Sequence, residues 1–189
     1  MNNRQQVDRQ SRILDAVLEL LSRHGISGVN MRAVAREAGV ALGLVNYYYA
    51  DKPSLIRAVL GRISESDLRL VAPDPDAAPD EQLRTALRRV AAPEILTTQY
   101  LSLRLHLWAL AQADEEFAAI NAEAFDRYLD GLAGLIGKVR PGLTPEACKD
   151  RAADIVVLQN GMWLTSLLGI DPSSIERSIL RTEEIAFAD

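Results

Sequence analysis

Between positions 30 and 52 the chain carries Asn30, Arg32, Asn46, Tyr47, Tyr48 and Lys52, a set of amide, guanidinium, phenol and ammonium groups. Their chemistry is recognition. A guanidinium can pair with phosphate or the O6/N7 edge of guanine, an amide with adenine N6/N7, and phenol hydroxyls and an ammonium with phosphate oxygens. Leu42 and Leu44 suit a thymine methyl, and Gly43 between them lets backbone come close to DNA or to the preceding helix. Two short helices joined by a tight turn would present these groups together. Asn30 can cap the first, Val34, Ala35 and Ala38 form its buried stripe, and Gly39 stops it in a left-handed turn. The second runs from Leu42 to about Tyr48, with only Val45 required to face inward. This is a helix-turn-helix layout. Ala41 supplies no side-chain cap to the second helix. Tyr49 is expected in the core, because one short helix cannot bury three adjacent rings. Arg36 is expected on a solvated face or at a peripheral phosphate.

The distribution of charge agrees with this placement. The 189-residue chain has 21 basic and 26 acidic side chains, so its bulk composition does not describe a general nucleic-acid binder. Residues 1–60, however, hold Arg4, Arg9, Arg12, Arg23, Arg32, Arg36, Lys52 and Arg57 against Asp8, Asp15, Glu19, Glu37 and Asp51, a balance of +3. The remaining 13 basic and 21 acidic groups leave residues 61–189 at −8. A basic first third on an acidic remainder is expected if only the first third meets phosphate.

The elements that must hold the recognition groups are helical. An apolar content of 48% with few aromatics and no alternating apolar-polar run implies an all-α chain. A first helix is expected from about Arg9 to His24, ended by Gly25. Asp51 caps a fourth helix that ends near Val71, and the Pro/Asp/Ala segment 72–79 is a loop. Beyond it, a short helix from Asp80 is interrupted by Pro93, followed by helices over about 94–112, 114–139, 145–168 and 172–186. The leucines at 101, 103, 105, 107 and 110 cover more than one face of their helix, which is therefore expected to be surrounded. The fold expectation is a three-helix DNA-binding domain over 1–51 and a larger helical bundle over 52–189, about nine helices in all, with 52–71 as the connecting helix.

The first 60 residues resemble the TetR family of transcriptional regulators. The resemblance is carried by Arg12-Ile13-Leu14 through His24-Gly25, Arg32-Ala33-Val34-Ala35, Ala38-Gly39-Val40, Gly43, Tyr48-Tyr49 and Lys52. Farther on, Leu107-Trp108-Ala109-Leu110 and Gly161-Met162-Trp163-Leu164 resemble its BetI-type branch. The chain departs from the usual pattern at Asn30, Ala41 and Leu42, where most relatives carry threonine, serine and often a polar or basic residue. The resemblance implies a homodimer that binds a double-stranded DNA operator and is released from it by a small-molecule effector.

Candidate effector residues are Tyr100, Arg104, His106, Trp108, Phe117, Asn121, Gln159, Asn160 and Trp163, a mixture of aromatics and a few polar groups suited to a ligand cavity. The last two helices are the expected dimer seam, with Ile155, Leu158, Met162, Leu168, Ile175, Ile179 and Ile185 as its apolar residues and Gly161 allowing close approach. Enzymatic chemistry is not apparent. Two histidines at no ligand spacing make no metal site, Glu183-Glu184 read as helix-surface charges, Cys148 has no histidine near it in sequence, and no glycine-rich phosphate loop suggests a cofactor. The stretch 155–170 is too short and polar to span a bilayer comfortably, and with no charged-then-apolar leader a cytoplasmic location is expected. Two other readings stay open at this level: a helical interaction protein that has lost specific DNA binding, motivated by Ala41 and Leu42, and a small helical-bundle enzyme.

Overall fold

The computed structural model describes residues 3–188; the side chain of Arg4, counted above among the basic groups, lies outside the described residues. These residues form nine α-helices and no strand: α1 (Asn3–Gly28), α2 (Met31–Ala38), α3 (Leu42–Tyr48), α4 (Lys52–Leu70), α5 (Pro79–Arg89), α6 (Thr98–Ala113), α7 (Glu115–Val139), α8 (Pro145–Leu168) and α9 (Ser174–Phe187). None of the helices is long and apolar enough to cross a membrane.

The chain divides into two compact units. The first comprises Met1–Ile63 with Ser102–Asn121. Its core gathers Ile13, Val17 and Leu21 of α1, Val34 of α2, Val45 of α3, and Leu55, Ile56 and Val59 of α4, closed by Leu103, Leu107 and Phe117. The residues of α1, α2, α3 and α4 fall on the faces that helical periodicity selects, whereas Leu103 and Leu107 come from α6, whose leucines cover more than one face. Helix α1 starts earlier than expected, at Asn3, and breaks at Gly25, which has φ 63° and ψ −168°. Such a φ is strained for any residue with a Cβ, so the break belongs to the glycine.

The second unit comprises Ser64–Leu101 with Ala122–Asp189. Its core packs Leu83 and Leu87 of α5, Leu132, Leu135 and Ile136 of α7, and Ala152, Ile155 and Val156 of α8. Two expectations change here. Helix α6 begins at Thr98 and not near Glu94, because Pro93 is followed by successive turns, and Thr97 then accepts the Tyr100 N–H at 3.2 Å as a cap. Glu183 is not a surface charge: it is buried, and its two oxygens accept from Arg84 Nη1 at 2.7 Å and Arg88 Nε at 2.8 Å, tying α5 to α9. Arg84 also lies over the Phe187 ring at 4.2 Å. In the first unit, Leu105 is 44% exposed, so α6 is not enclosed on every side as its leucine count suggested.

Candidate nucleic-acid interface and effector cluster

The turn that presents α3 follows from local hydrogen-bonding needs. Asn30 Oδ1 accepts the Ala33 N–H at 2.9 Å and caps α2. At the other end Gly39 takes φ 63°, and the Val40 N–H reaches back to the Ala35 carbonyl at 3.0 Å, the pattern of a left-handed helix stop. Arg12 Nη2 donates to the remaining Ala38 carbonyl at 2.8 Å and fastens α2 to α1. Ala41 makes no side-chain cap, as its methyl group requires, so α3 rests on the burial of Val45 and on backbone bonds alone.

This geometry puts a mixed surface into solvent. Arg32, Asn46, Gly43 and Leu42 are exposed, and Tyr47 is 76% exposed; Leu44 is half-buried. Tyr47 meets Tyr48 edge-on at 5.3 Å between ring centroids, which orients both rings. Tyr49 is buried in the core, where desolvation pushes its phenol pKa up, and it accepts from Gln10 Nε2 at 3.3 Å. Nothing lies within 4 Å of where a Cβ on Gly43 would stand, so the close approach to α2 expected of Gly43 is absent; the open space there faces outward.

Several cations of the first third are already engaged. Arg23 pairs with Glu19 and Glu37, Arg57 with Glu116, Arg62 with Asp15, and Arg12 with the Ala38 carbonyl. Lys52 Nζ donates to the Ile26 carbonyl at 2.6 Å, and the Tyr48 hydroxyl donates to the Gln6 carbonyl at 3.4 Å. Among the described residues Arg9, Arg32 and Arg36 form no ion pair or side-chain hydrogen bond. Arg32 and Arg36 stand one turn apart on the exposed face of α2. The outward positive charge beside α3 is therefore concentrated in these two guanidiniums.

The expected effector residues separate. In the second unit, the Tyr100 hydroxyl donates to Asp67 Oδ1 at 2.8 Å, its ring meets Trp163 edge-on at 6.1 Å, and Trp163 Nε1 donates to the Val90 carbonyl at 2.8 Å. Gln159, one turn before Trp163 on α8 and also buried, accepts from the Tyr128 hydroxyl at 3.1 Å, while its Nε2 is buried with no hydrogen-bond partner among the described residues. Asn160 is half-buried next to it. In the first unit, Arg104 lies 5.7 Å from the centroid of the Trp108 ring, Phe117 belongs to the core, Asn121 is half-buried, and His106 packs against Gly25. Sequence reasoning missed Asp67 and Tyr128 as polar members of the cluster. Asp67 carries no periodic signature on α4, and Tyr128 reads as an ordinary apolar-face residue of α7.

The seam residues also redistribute. Ile155 and Met162 are buried in the second unit, and Leu158, Ile175, Ile179 and Ile185 are half-buried. From α8 onward, the large apolar side chains left in solvent are Val157 (71% exposed), Leu164 (43%) and Leu168 (60%), at spacings of seven and four that form one stripe of α8 with Gly161 between them, together with Ile170 (68%) just after α8 and Leu180 (53%) on α9.

Comparison with known proteins matches these features to a family. The profile of bacterial regulatory proteins of the tetR family covers residues 13–59, and that of the BetI-type transcriptional repressor C-terminal region covers residues 79–185. The HTH-type transcriptional regulator BetI of Burkholderia thailandensis is 25% identical over 168 residues, spanning 87% of this chain and 84% of that protein. Its counterpart in Paraburkholderia phymatum is 26% identical over 169 residues with the same coverage. Among solved structures, a transcriptional regulator from Pseudomonas aeruginosa PAO1 superposes with a TM-score of 0.80 at 23% identity, covering 95% of this chain and 88% of that one. A transcriptional regulator from Saccharomonospora viridis in complex with choline gives 0.78 at 19% identity, covering 97% of each chain. The helix-turn-helix, the all-helical remainder and both profile matches converge: this chain belongs to the TetR family of transcriptional regulators, in its BetI-type branch, and not to an enzyme family.

Proposed function

We propose that the protein is a homodimeric repressor whose residues 1–51 bind a palindromic DNA operator and whose residues 52–189 bind a small organic cation that releases it. The observation that carries the DNA reading is the surface of α2 and α3, where Arg32, Asn46 and Tyr47 are exposed and their side chains form no hydrogen bond among the described residues. Asn46 and Arg32 are suited to base edges, Leu42 and Leu44 to thymine methyls, and Tyr47 to phosphate. Gly43 keeps the approach clear, and Asn30 holds the start of α2 in place. Lys52 and Tyr48 act from behind this surface, since a donor of each is spent on Ile26 and Gln6.

The effector reading rests on Tyr100, Trp163, Tyr128, Gln159 and Asp67. Aromatic faces attract cations through the ring quadrupole, and a carboxylate adds charge complementarity. Choline, held by the Saccharomonospora viridis regulator, has the matching chemistry: a quaternary ammonium for the rings and Asp67, and a hydroxyl that can accept from the buried Gln159 Nε2. Release is linkage. The cation must bind the DNA-free conformation more tightly than the DNA-bound one.

Dimerisation is supported by the stripe Val157, Leu164 and Leu168 with Leu180, an aliphatic surface that a second copy would cover through the same two helices. A single head contacts too little DNA for high affinity, whereas two heads one helical turn apart on a palindrome suffice.

The test is fluorescence anisotropy of the purified protein against DNA upstream of its own coding region, beside a scrambled duplex, at two salt concentrations, with choline then titrated in. Tight, salt-sensitive binding of two subunits per site, reversed by choline, is expected. Equal weak binding to both duplexes would show that the head lacks specificity.

A further inference from the structure

The polar side chains placed with Trp163 in the second unit spend their donors on the protein itself. The Tyr100 hydroxyl gives its proton to Asp67 Oδ1 at 2.8 Å, the Trp163 indole N–H goes to the Val90 carbonyl at 2.8 Å, and the Tyr128 hydroxyl donates to Gln159 Oε1 at 3.1 Å. Gln159 differs. It is 3% exposed, and its Nε2 has no hydrogen-bond partner among the described residues. An amide nitrogen carries two N–H donors, and burying them without an acceptor is costly. Such a group is accounted for by an acceptor that the chain itself does not supply.

Tyr128 sets the polarity of this amide. A phenol hydroxyl donating to Oε1 satisfies the carbonyl end and leaves the N–H end as the one presented elsewhere. Gln159 and Trp163 stand one turn apart on the buried side of α8, so the amide and the indole share one side of the helix. A cation seated on the Tyr100 and Trp163 rings that carries an acceptor a few bonds from its nitrogen brings that acceptor to a donor. An all-alkyl cation of the same size buries the N–H groups against carbon.

We propose that this site selects its effector by hydrogen-bond polarity. Gln159 Nε2 is the specificity-determining donor, and Tyr128 is the positioning residue that fixes its orientation. The effector is therefore a cation that also bears a hydrogen-bond acceptor, and a quaternary ammonium alone does not suffice. The inference rests on the effector reading above and adds to it which end of the amide meets the ligand. An acceptor with no hydrogen to give satisfies Nε2 in the same way as a hydroxyl oxygen.

The experiment is calorimetry of the purified full chain with four cations of matched size. Choline is compared with propyltrimethylammonium, which has a methyl in place of the hydroxyl. (Cyanomethyl)trimethylammonium, whose nitrile only accepts, is compared with propargyltrimethylammonium, which has the same rod shape and a C–H at its tip. Wild type is expected to bind choline tighter than the propyl compound by roughly 10-fold to 100-fold, and the nitrile tighter than the alkyne by at least about threefold. Gln159→Met should bring both ratios to about one while the propyl compound keeps its affinity, which also shows that the variant is folded. Gln159→Glu offers a carboxylate where the N–H groups stood. The nitrile should then fall below the alkyne, while choline, whose hydroxyl can donate, stays ahead of the propyl compound. Tyr128→Phe releases the amide, so the nitrile preference should shrink and the choline preference persist, because a hydroxyl meets either end of the amide. Wild type with both ratios near one, or with the alkyne ahead of the nitrile, would overturn the proposal, as would unchanged ratios in Gln159→Met. Both ratios unchanged in Tyr128→Phe, or all four affinities lowered in proportion, would strip Tyr128 of its role. Wild type that binds none of the cations would sink the effector reading itself, a result distinct from equal binding of all four.

Discussion

Helix α3 buries one side chain, Val45, and leaves Leu42, Asn46 and Tyr47 in solvent, whereas α8 buries seven and leaves Val157, Leu164 and Leu168 outside. Both helices expose apolar surface, but of different kinds. The face of α3 mixes a leucine, an amide and a phenol and stands beside the free guanidiniums of Arg32 and Arg36. The face of α8 is aliphatic, interrupted only by Gly161. Base edges and phosphates offer hydrogen-bond acceptors, donors and charge together with a thymine methyl, so a reader of DNA needs the mixture. An aliphatic stripe has no such complement on DNA and is matched by another apolar protein surface. The same physical fact, exposed hydrophobic area, thus points to two different partners once its neighbours are known.

Breaking the α8 face should have the largest effect. Leu164→Glu combined with Leu168→Glu would place two like charges in the proposed seam. Sedimentation velocity should then show a monomer, with operator affinity lower by roughly 100-fold to 10,000-fold through loss of the second half-site. A dimer that persists would relocate the seam.

Breaking the α3 side should cost less and leave assembly intact. Arg32→Ala is expected to weaken operator binding by about 1–3 kcal/mol in anisotropy titrations, with the melting temperature unchanged. Tyr47→Phe tests the hydroxyl alone and should lie at the low end of that range. An unaltered affinity in both would remove this face from the interface.

The clamp on α9 sharpens the comparison from within. Glu183→Gln removes a buried charge between Arg84 and Arg88, whose side chains are 44% and 62% exposed, so solvent screens much of the attraction. A loss of about 1–2 kcal/mol in urea-induced unfolding is expected, accompanied by weaker dimerisation because α9 is less firmly seated. A loss of stability with dimerisation untouched would show that the seam depends on α8 alone.

The smallest effect concerns the start of α4. Asp51 Oδ1 accepts the Ser54 N–H at 2.8 Å, and this bond, followed by the Ser54 hydroxyl, holds the Asp51 carboxyl below its ordinary value of 3.8. A depressed folded pKa stabilises the fold above the unfolded value, and that contribution is lost as pH falls through the folded one. The stability difference between wild type and Asp51→Asn should therefore be constant near neutrality and shrink below about pH 4. A difference that does not change with pH would assign the whole effect to cap geometry.

Local chemistry made the head legible. Asn30 as a cap, Gly39 as a left-handed stop, Val45 as the single inward residue of α3 and Tyr49 as a core ring all depend on neighbours within a few positions, and each stands where the sequence placed it. Helical periodicity likewise marked the buried faces of α1, α4 and α7. It did less well on α6 and α8, which are apolar around most of their circumference, so period alone could not say which aliphatic residues face the subunit's own core and which face outward. Ile155 and Met162, both expected in the dimer seam, pack inward, while Val157 and Leu164 face outward.

Pairings across long sequence separations belong to the tertiary structure. Lys52 and Ile26, Tyr100 and Asp67, Glu183 with Arg84 and Arg88, and His106 and Gly25 are brought together by the stacking of whole helices. No spacing in the chain encodes them. The amino-acid sequence by itself determined an all-helical protein, a DNA-reading turn and the side chains available to it, because caps, stops and periodicity are local. Which cations remained free to meet phosphate, which leucines a partner would cover and which polar groups gathered around Trp163 were decided only by packing, because each depends on what a distant segment had already claimed.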